Sequence, residues 1–161
     1  MPTAPLIDFE AIDLEQVVAT KSEVQELLRQ RGSFALLDGI LHIDDDRRLA
    51  IGYKDVSGDD WWVPDHIPGR PLFPGALMIE AAAQLCSYDF IRRNPDWITD
   101  DRFVGFAGVD RVRFRGAVEP SCRFTIVALV QRIRSNIFTY QTQGFVDRRL
   151  VFEAVIMGML V

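Results

Sequence analysis

Residues 75–86 are the most apolar stretch of the chain, and their pattern is that of a helix buried on all sides. Between Gly75 and Cys86 the only polar residues are Glu80 and Gln84. Because these two are four positions apart, they share one face of the predicted helix. A helix of this kind has to be enclosed by other elements, so the rest of the chain must supply a wrapping for it. We predict this main helix over residues 74–92.

The remaining pattern supplies strands. A T-x-x-E capping box at Thr20–Glu23 predicts a short amphipathic helix that stops near Gly32. Strand-like runs precede the main helix at 34–43 and 49–56 and follow it at 103–109, 111–118, 122–133, 137–147 and 150–160. The first two runs after the helix are alternatively one long strand with a bend. One long helix beside many strands predicts an α+β fold, with an antiparallel sheet wrapped around that helix.

Length and composition indicate one globular domain spanning 1–161, with residues 1–19 loosely ordered. The net charge of −5 argues against broad nucleic-acid binding. The N-terminus lacks a signal-peptide pattern, and the longest apolar stretch is too short for a membrane span, so we expect a cytoplasmic protein. Cys86 and Cys122 form no metal-binding pattern; two free thiols are favoured over one disulfide, and we expect no metal and no cofactor.

A proline-rich loop precedes the main helix. Residues 64–75 hold four of the eight prolines, which restrict the backbone and predict a stiff, pre-shaped segment. His66, one of two histidines in the chain, lies within it. A lone loop histidine is by default structural. Its position just upstream of Glu80, a carboxyl group inside a buried helix, favours an acid–base pair instead.

The start of the main helix is a third candidate element. Pro74 suits the first turn, and Gly75 lets a ligand approach the free N–H groups at the positive end of the helix dipole. This geometry suits an oxyanion or a thioester carbonyl oxygen. The alternative is an ordinary helix start.

Residues 66–84 carry a dense motif, H-x-P-G-x-P-x-x-P-G-x-L-x-x-E-A-x-A-Q. This motif resembles the signature of the 3-hydroxyacyl-acyl-carrier-protein dehydratases of type II fatty-acid synthesis, the FabZ group. Weaker similarity covers residues 31–38, which resemble R-Y-P-F-L-L-x-D, and residues 106–114, which resemble F-x-G-I-D-x-x-R-F.

The resemblance implies a hot-dog fold assembled as a homodimer or a trimer of dimers. It implies that His66 and Glu80 are the catalytic pair and that Gly75 binds the thioester carbonyl. The reaction would remove water from 3-hydroxyacyl thioesters, carried by acyl carrier protein or coenzyme A, in fatty-acid or related lipid or polyketide biosynthesis. Gln84 would then orient the Glu80 carboxyl group, and Phe73 would line an acyl tunnel, with core packing as its alternative role.

Partners and competing functions stay open at this stage. Arg111, Arg113 and Arg115 alternate along a predicted strand, so they share one face that either docks an acidic acyl carrier protein or forms local salt bridges. A hot-dog thioesterase would use a helix carboxylate to activate water, without the His-Pro-Gly loop. A non-catalytic acyl-binding subunit would keep the fold and lose the acid–base pair.

Overall fold

One long helix and a seven-stranded antiparallel sheet form most of the computed structural model, which describes residues 3–161. The helices are α1 (Lys21–Leu27) and α2 (Gly75–Arg93), with 3-10 turns at Gly32–Phe34 and Pro95–Trp97. The strands are β1 (Ala19–Thr20), β2 (Gly39–Asp44), β3 (Leu49–Val56), β4 (Val104–Phe114), β5 (Cys122–Arg134), β6 (Ile137–Val146) and β7 (Arg149–Leu160). Their order across the sheet is β1-β2-β3-β5-β6-β7-β4, so β4 forms one edge.

The sheet wraps around α2, which supplies much of the core. Ala81, Ala82, Leu85 and Phe90 on the helix are fully buried. They pack in one cluster with side chains from the facing strands, among them Phe124, Ile126, Phe138, Tyr140, Phe152 and Ile156. This is the α+β hot-dog arrangement that the resemblance implied. Within residues 3–161, no helix combines the length and the apolar character that crossing a membrane requires.

A buried charge ties the C-terminal half of α2 to the sheet. Asp89 is fully buried and accepts hydrogen bonds from the Tyr140 hydroxyl at 2.8 Å and from Arg93 Nε at 2.7 Å. Arg92 donates a longer bond of 3.2 Å to the same carboxylate. Burial, followed by the charge of Asp89, raises the pKa of Tyr140 far above its usual value. Removing one partner of such a buried set leaves an uncompensated polar group, which makes the set a strong constraint on how α2 sits.

The strand predicted over 34–43 is wrong in its first half. Strand β2 begins at Gly39, and residues 34–37 before it are not paired in the sheet, although Asp38 N already donates to Tyr53 O of β3 at 2.8 Å. Two of their backbone groups bond to the helix instead: Leu36 N donates to Gln84 Oε1 at 3.0 Å, and Phe34 O accepts from Gln84 Nε2 at 2.8 Å. A side-chain amide has taken the place of a neighbouring strand.

Of the two alternatives for 103–118, the structure has the single bent strand, but the predicted residues 115–118 lie outside it. Strand β4 is continuous from Val104 to Phe114, and its register against β7 shifts between Asp110 and Arg113. Arg111 lies inside that bulge with a φ of 52°. The bulge breaks the simple alternation of side chains along the strand.

The first helix starts as predicted and stops early. Thr20 and Glu23 form the full capping box, with bonds of 3.3 Å and 2.7 Å. The helix ends at Leu27, before the predicted stop near Gly32, because Leu28 is already extended. Gly32 instead opens the 3-10 turn with a φ of 61°.

The N-terminal segment, expected to be loosely ordered, packs against the outer face of the sheet. Ile7 is buried in a second apolar cluster with Phe145. The fully buried side chain of Gln143 holds the segment, accepting from Leu6 N at 2.7 Å and donating to Ala4 O at 3.0 Å. Met1 and Pro2 lie outside the described residues.

Candidate active site

The loop between β3 and α2 is anchored by two buried aromatic side chains. Trp62 and Phe73 are 2% and 3% exposed, and their ring centroids lie 5.6 Å apart. The backbone adds to this, because Phe73 N donates to Val118 O and His66 N donates to Trp62 O, both at 2.8 Å. The segment between the anchors, which carries His66, is therefore exposed but held in place.

Phe73 acts as a packing residue within the single chain. Its ring meets Phe124 edge-on, with centroids 5.8 Å apart, and belongs to the main core cluster. Phe73 therefore has a core-packing role in the chain, and its place in the wall of an acyl tunnel stays a prediction.

The His66 ring is oriented by a backbone carbonyl. Nδ1 lies 2.9 Å from Leu72 O. A carbonyl oxygen can only accept, so Nδ1 carries the proton of the neutral ring and Nε2 keeps its lone pair. The exposed His66 side chain thus presents an unprotonated nitrogen that can act as a base.

Glu80 is half-buried on α2 and held by Gln84, one turn further along. Gln84 Nε2 donates to Glu80 Oε1 at 2.9 Å. The amide of Gln84 cannot flip, because its oxygen accepts from Leu36 N and its nitrogen donates to Phe34 O. Glu80 Oε2 has no hydrogen-bond partner within residues 3–161, which leaves it available to a bound molecule.

Gly75 is the first residue of α2, with Pro74 as the N-cap rather than inside the first turn. Its backbone lies directly beneath the Phe114 ring: an added Cβ would stand 2.7 Å from Phe114 Cζ. Helix N-termini leave their first N–H groups unpaired and carry partial positive charge. Glycine at this position therefore makes room for the Phe114 ring beside these donors.

A cavity of about 40 Å³ opens beside Glu80. Its walls come from α2, from strands β4, β6 and β7 and from residue Gln30. His66 is not among the lining residues, and it has no hydrogen bond to Glu80 in the part of the chain that is described. Within one chain the structure joins Glu80 to Gln84 and His66 to Leu72, but it does not join the two halves of the predicted pair.

Of the three arginines, Arg115 is paired with a carboxylate, and the other two lie near it. Arg115 donates to Glu153 Oε1 at 2.6 Å, Arg113 is the register partner of Glu153, and Arg111 lines a cavity with it. The hydrogen bond from Arg115 holds the pKa of Glu153 below its usual value. The bulge interrupts the plain alternation of these three residues, and one of their three charges is paired.

Two features of the site were missed by the sequence analysis. The Leu72 carbonyl that orients His66 is a backbone group, which every residue possesses. Gln30 faces the Glu80 cavity from a segment predicted only as the end of a helix. Within residues 3–161, no group of three or more His, Cys, Asp or Glu side chains is arranged to hold a metal ion.

Comparison with known proteins relates the chain to dehydratases. A family profile described as the FabA-like domain matches residues 28–155. The FabZ 3-hydroxyacyl-[acyl-carrier-protein] dehydratase of Pelotomaculum thermopropionicum is 35% identical over 136 residues, covering 84% of this chain and 94% of that relative. The protein of the same name from Agrobacterium fabrum is 36% identical over 139 residues, covering 86% of this chain and 88% of the relative.

Solved structures share the fold. The dehydratase heterocomplex ApeI:P from Xenorhabdus doucetiae matches with a TM-score of 0.72 and 15% identity, covering 86% of this chain and 90% of that one. A mutant thioesterase from Pseudomonas aeruginosa matches with a TM-score of 0.65 and 15% identity, covering 92% and 99%. At this identity the likeness concerns the hot-dog fold alone, which serves both kinds of enzyme.

The hydrogen bond to Leu72 makes a prediction about the tautomer of His66. In long-range ¹H–¹⁵N spectra, the neutral ring should be in the Nδ1–H form, because the carbonyl needs a donor. His42, the other histidine, has no ring hydrogen bond within residues 3–161 and serves as the internal reference. The His42→Ala variant assigns the two sets of signals. A neutral His66 protonated at Nε2 would contradict the geometry.

Proposed function

The chain belongs to the FabA-like family and is a hydro-lyase that dehydrates 3-hydroxyacyl thioesters, and we propose that His66 and Glu80 are its catalytic pair. The observation that supports this assignment is that each of the two side chains is held at one polar atom and, within residues 3–161, has its other polar atom free. The Leu72 carbonyl leaves Nε2 of His66 free to take a proton. Gln84 holds one oxygen of Glu80 and leaves the other for the substrate.

The elimination needs a base, an acid and a place for negative charge. His66 Nε2 removes the proton from the α-carbon, and the C–H electron pair moves toward the thioester carbonyl. The N–H of Gly75, at the positive end of α2, stabilises the charge on that oxygen. A protonated Glu80 gives its proton to the β-hydroxyl, the C–O bond breaks, and water leaves as the trans double bond forms. His66 has then gained one proton and Glu80 has lost one, and exchange with solvent restores both.

We further propose that the enzyme is a homodimer whose active sites are shared between chains. His66 and Glu80 do not meet within one chain, so a second copy has to bring them together. Strand β4 offers the surface: it is an eleven-residue sheet edge, and Phe106 and Phe114 on it are each 52% exposed. Long apolar edge strands in native proteins are normally paired or covered.

The proposed substrate carrier is an acidic acyl carrier protein that contacts the cluster of Arg111, Arg113 and Arg115. Only Arg115 is paired with Glu153 by a short bond, so the cluster keeps positive charge despite the negative net charge of the chain. We also propose a cytoplasmic location. The free thiols of Cys86 and Cys122 support it, because disulfides are rare in that compartment.

The catalytic assignment predicts hydration of a short trans-2-enoyl thioester, seen as loss of its ultraviolet absorbance. His66→Ala and Glu80→Gln should each lower kcat/KM by about 10²–10⁴-fold, the usual contribution of a general acid or base. The matched controls are His42→Ala and Glu26→Gln, which remove the same chemistry elsewhere. Release of free coenzyme A is followed in parallel to detect thioesterase activity. Thioester cleavage without hydration would favour the thioesterase alternative, and near-normal hydration by either site variant would overturn the pair.

The docking proposal predicts a split between carriers. Arg111→Glu combined with Arg113→Glu should raise KM for acyl-carrier-protein substrates and leave acyl-CoA kinetics close to normal. Added salt should weaken the same interaction by screening. The control reverses Arg132 and Arg134, two exposed arginines equally spaced on β5. Equal losses on both carriers would show that the arginines do not act in docking.

The shared site predicts complementation between two inactive variants. Chains carrying His66→Ala and chains carrying Glu80→Ala are co-expressed so that dimers form at random. About half of the dimers are then mixed, and each mixed dimer regains one intact site while losing the other. Activity should return to about a quarter of wild type. Mixed dimers that are verified by two affinity tags and remain inactive would place both residues in the same chain.

A further inference from the structure

Lys54 is a buried cation on β3. Among the residues that the structure describes, it is the only lysine or arginine that is buried, with 9% of its surface exposed. It lies on the inner side of the sheet, because side chains alternate along a strand and Val56, two positions further along β3, belongs to the core cluster around α2. A buried ammonium group is costly unless opposite charges surround it. The partners of Lys54 therefore show what its burial achieves.

Two carboxylates from separate segments balance this charge. Lys54 Nζ lies 3.7 Å from Asp38 Oδ2, just before β2, and 3.6 Å from Asp60 Oδ1, in the loop after β3. Asp38 has further support, because Lys21 Nζ lies 3.1 Å away and a backbone N–H of β3 donates to it at 2.7 Å. Asp60 accepts a bond from Ser57 N at 3.0 Å, but in the described part of the chain Lys54 is the only cation within 4.0 Å of it. Loss of Lys54 would therefore leave Asp60, rather than Asp38, without a counter-charge.

Asp60 opens the turns that lead to His66. Val63 N donates to Asp60 O at 3.1 Å, and His66 N donates to Trp62 O at 2.8 Å. Two hydrogen-bonded turns thus connect the carboxylate beside Lys54 to the imidazole. On its far side the His66 ring contacts Leu72 O at 2.9 Å, an exposed hydrogen bond that a shift of the loop would break. The orientation of the ring therefore depends on where the start of the loop is held.

We propose that Lys54 is a positioning residue for His66. By holding Asp60 against β3, its ammonium group fixes the start of the loop and keeps the His66 ring at Leu72 O, with Nε2 free to act as the base. The inference rests on the proposed dehydratase function, and it adds a residue on which the orientation of the base depends. In the competing role, Lys54 only neutralises the two carboxylates and stabilises the fold, and the folded enzyme would work normally without it.

The first test is hydration of a short trans-2-enoyl-CoA thioester by Lys54→Met, an apolar variant whose side chain is also long and unbranched. We expect kcat to fall about 10- to 100-fold with KM within about twofold of wild type, because a displacement of about 1 Å in a catalytic group is enough for such a loss. The matched control is Lys21→Met, which removes a cation from Asp38 and none from Asp60, so its kcat should match wild type. Equal effects of the two variants on kcat would overturn the proposal.

The second test observes the His66 ring in the folded protein, below the thermal transition of each variant. Long-range ¹H–¹⁵N spectra of Lys54→Met should show neutral His66 as a mixture of Nδ1–H and Nε2–H forms, because the Leu72 carbonyl no longer selects one of them. Lys21→Met should keep the wild-type pattern. A lysine that only stabilises the fold would lower the melting temperature and leave these signals unchanged. An unchanged His66 pattern in folded Lys54→Met would therefore overturn the positioning role, even if kcat falls.

Asp60→Asn decides the question if Lys54→Met does not fold. It keeps the size of the side chain and an oxygen for Ser57 N, but it removes the charge that attracts Lys54. We expect the same loss of kcat and the same change in the His66 signals, and where both variants fold, the double variant should lose no more than either single one. Additive losses would contradict a shared route through Asp60. If the wild-type enzyme hydrates no enoyl thioester, the dehydratase function fails instead, and the ring spectra still decide the role of Lys54.

Discussion

Enclosure of α2 by the sheet is the constraint on which the rest of this structure depends. The helix has small residues where it meets the strands, and Ala81 and Ala82 are fully buried against them. The strands adapt in turn: an added Cβ at Gly158 would stand 2.0 Å from Phe138 Cζ, and the Phe138 ring stacks on Phe90 with centroids 4.3 Å apart. Such close packing fixes the position of the helix, and with it the positions of Glu80, Gln84 and the Gly75 N-terminus.

A carboxyl group on a buried helix is costly unless neighbouring groups provide it with hydrogen bonds. Gln84 solves this by bonding Glu80 on one side and the backbone of Leu36 and Phe34 on the other. Residues 34–36, before β2, thereby bond to Gln84 instead of pairing in the sheet, and they help to hold Gln84 in place. At the other end of the helix, Asp89 and Tyr140 provide a similar buried connection to β6. The two buried polar side chains of this helix, Gln84 and Asp89, both have hydrogen-bond partners on each of their polar atoms.

Two features of the single chain are incomplete: the predicted acid–base pair and the open edge of β4. His66 is exposed and oriented without touching Glu80, while Phe106 and Phe114 are exposed on the open edge of β4. Phe114 also covers Gly75, so the sheet edge and the helix N-terminus form one continuous surface. An assembly that covers this edge would complete the acid–base pair and exclude water from the apolar strand in a single step. Gln30 adds a polar side chain to the wall of the cavity beside Glu80.

The sequence by itself determined the elements that depend on local pattern. Strand β3 was predicted over its true range, α2 was predicted to within one residue at each end, and the capping box of α1 is present in full. The spacing of Glu80 and Gln84 placed them on one face because helical periodicity is a local property. The density of the motif around His66 was sufficient to indicate the family.

Only the tertiary structure decided the interactions that join distant parts of the chain through generic groups. These interactions use backbone groups, which carry no residue-specific signal in the sequence. They include the Leu72 carbonyl, the backbone of residues 34–38 and the Ala4 and Leu6 groups that bond to Gln143. The positions of the arginines relative to Glu153 depend on the β4 bulge. Its register shift cannot be predicted from the alternation of side chains along a strand. Every residue carries the same peptide donor and acceptor, so which of them become partners is fixed by packing and register rather than by residue identity.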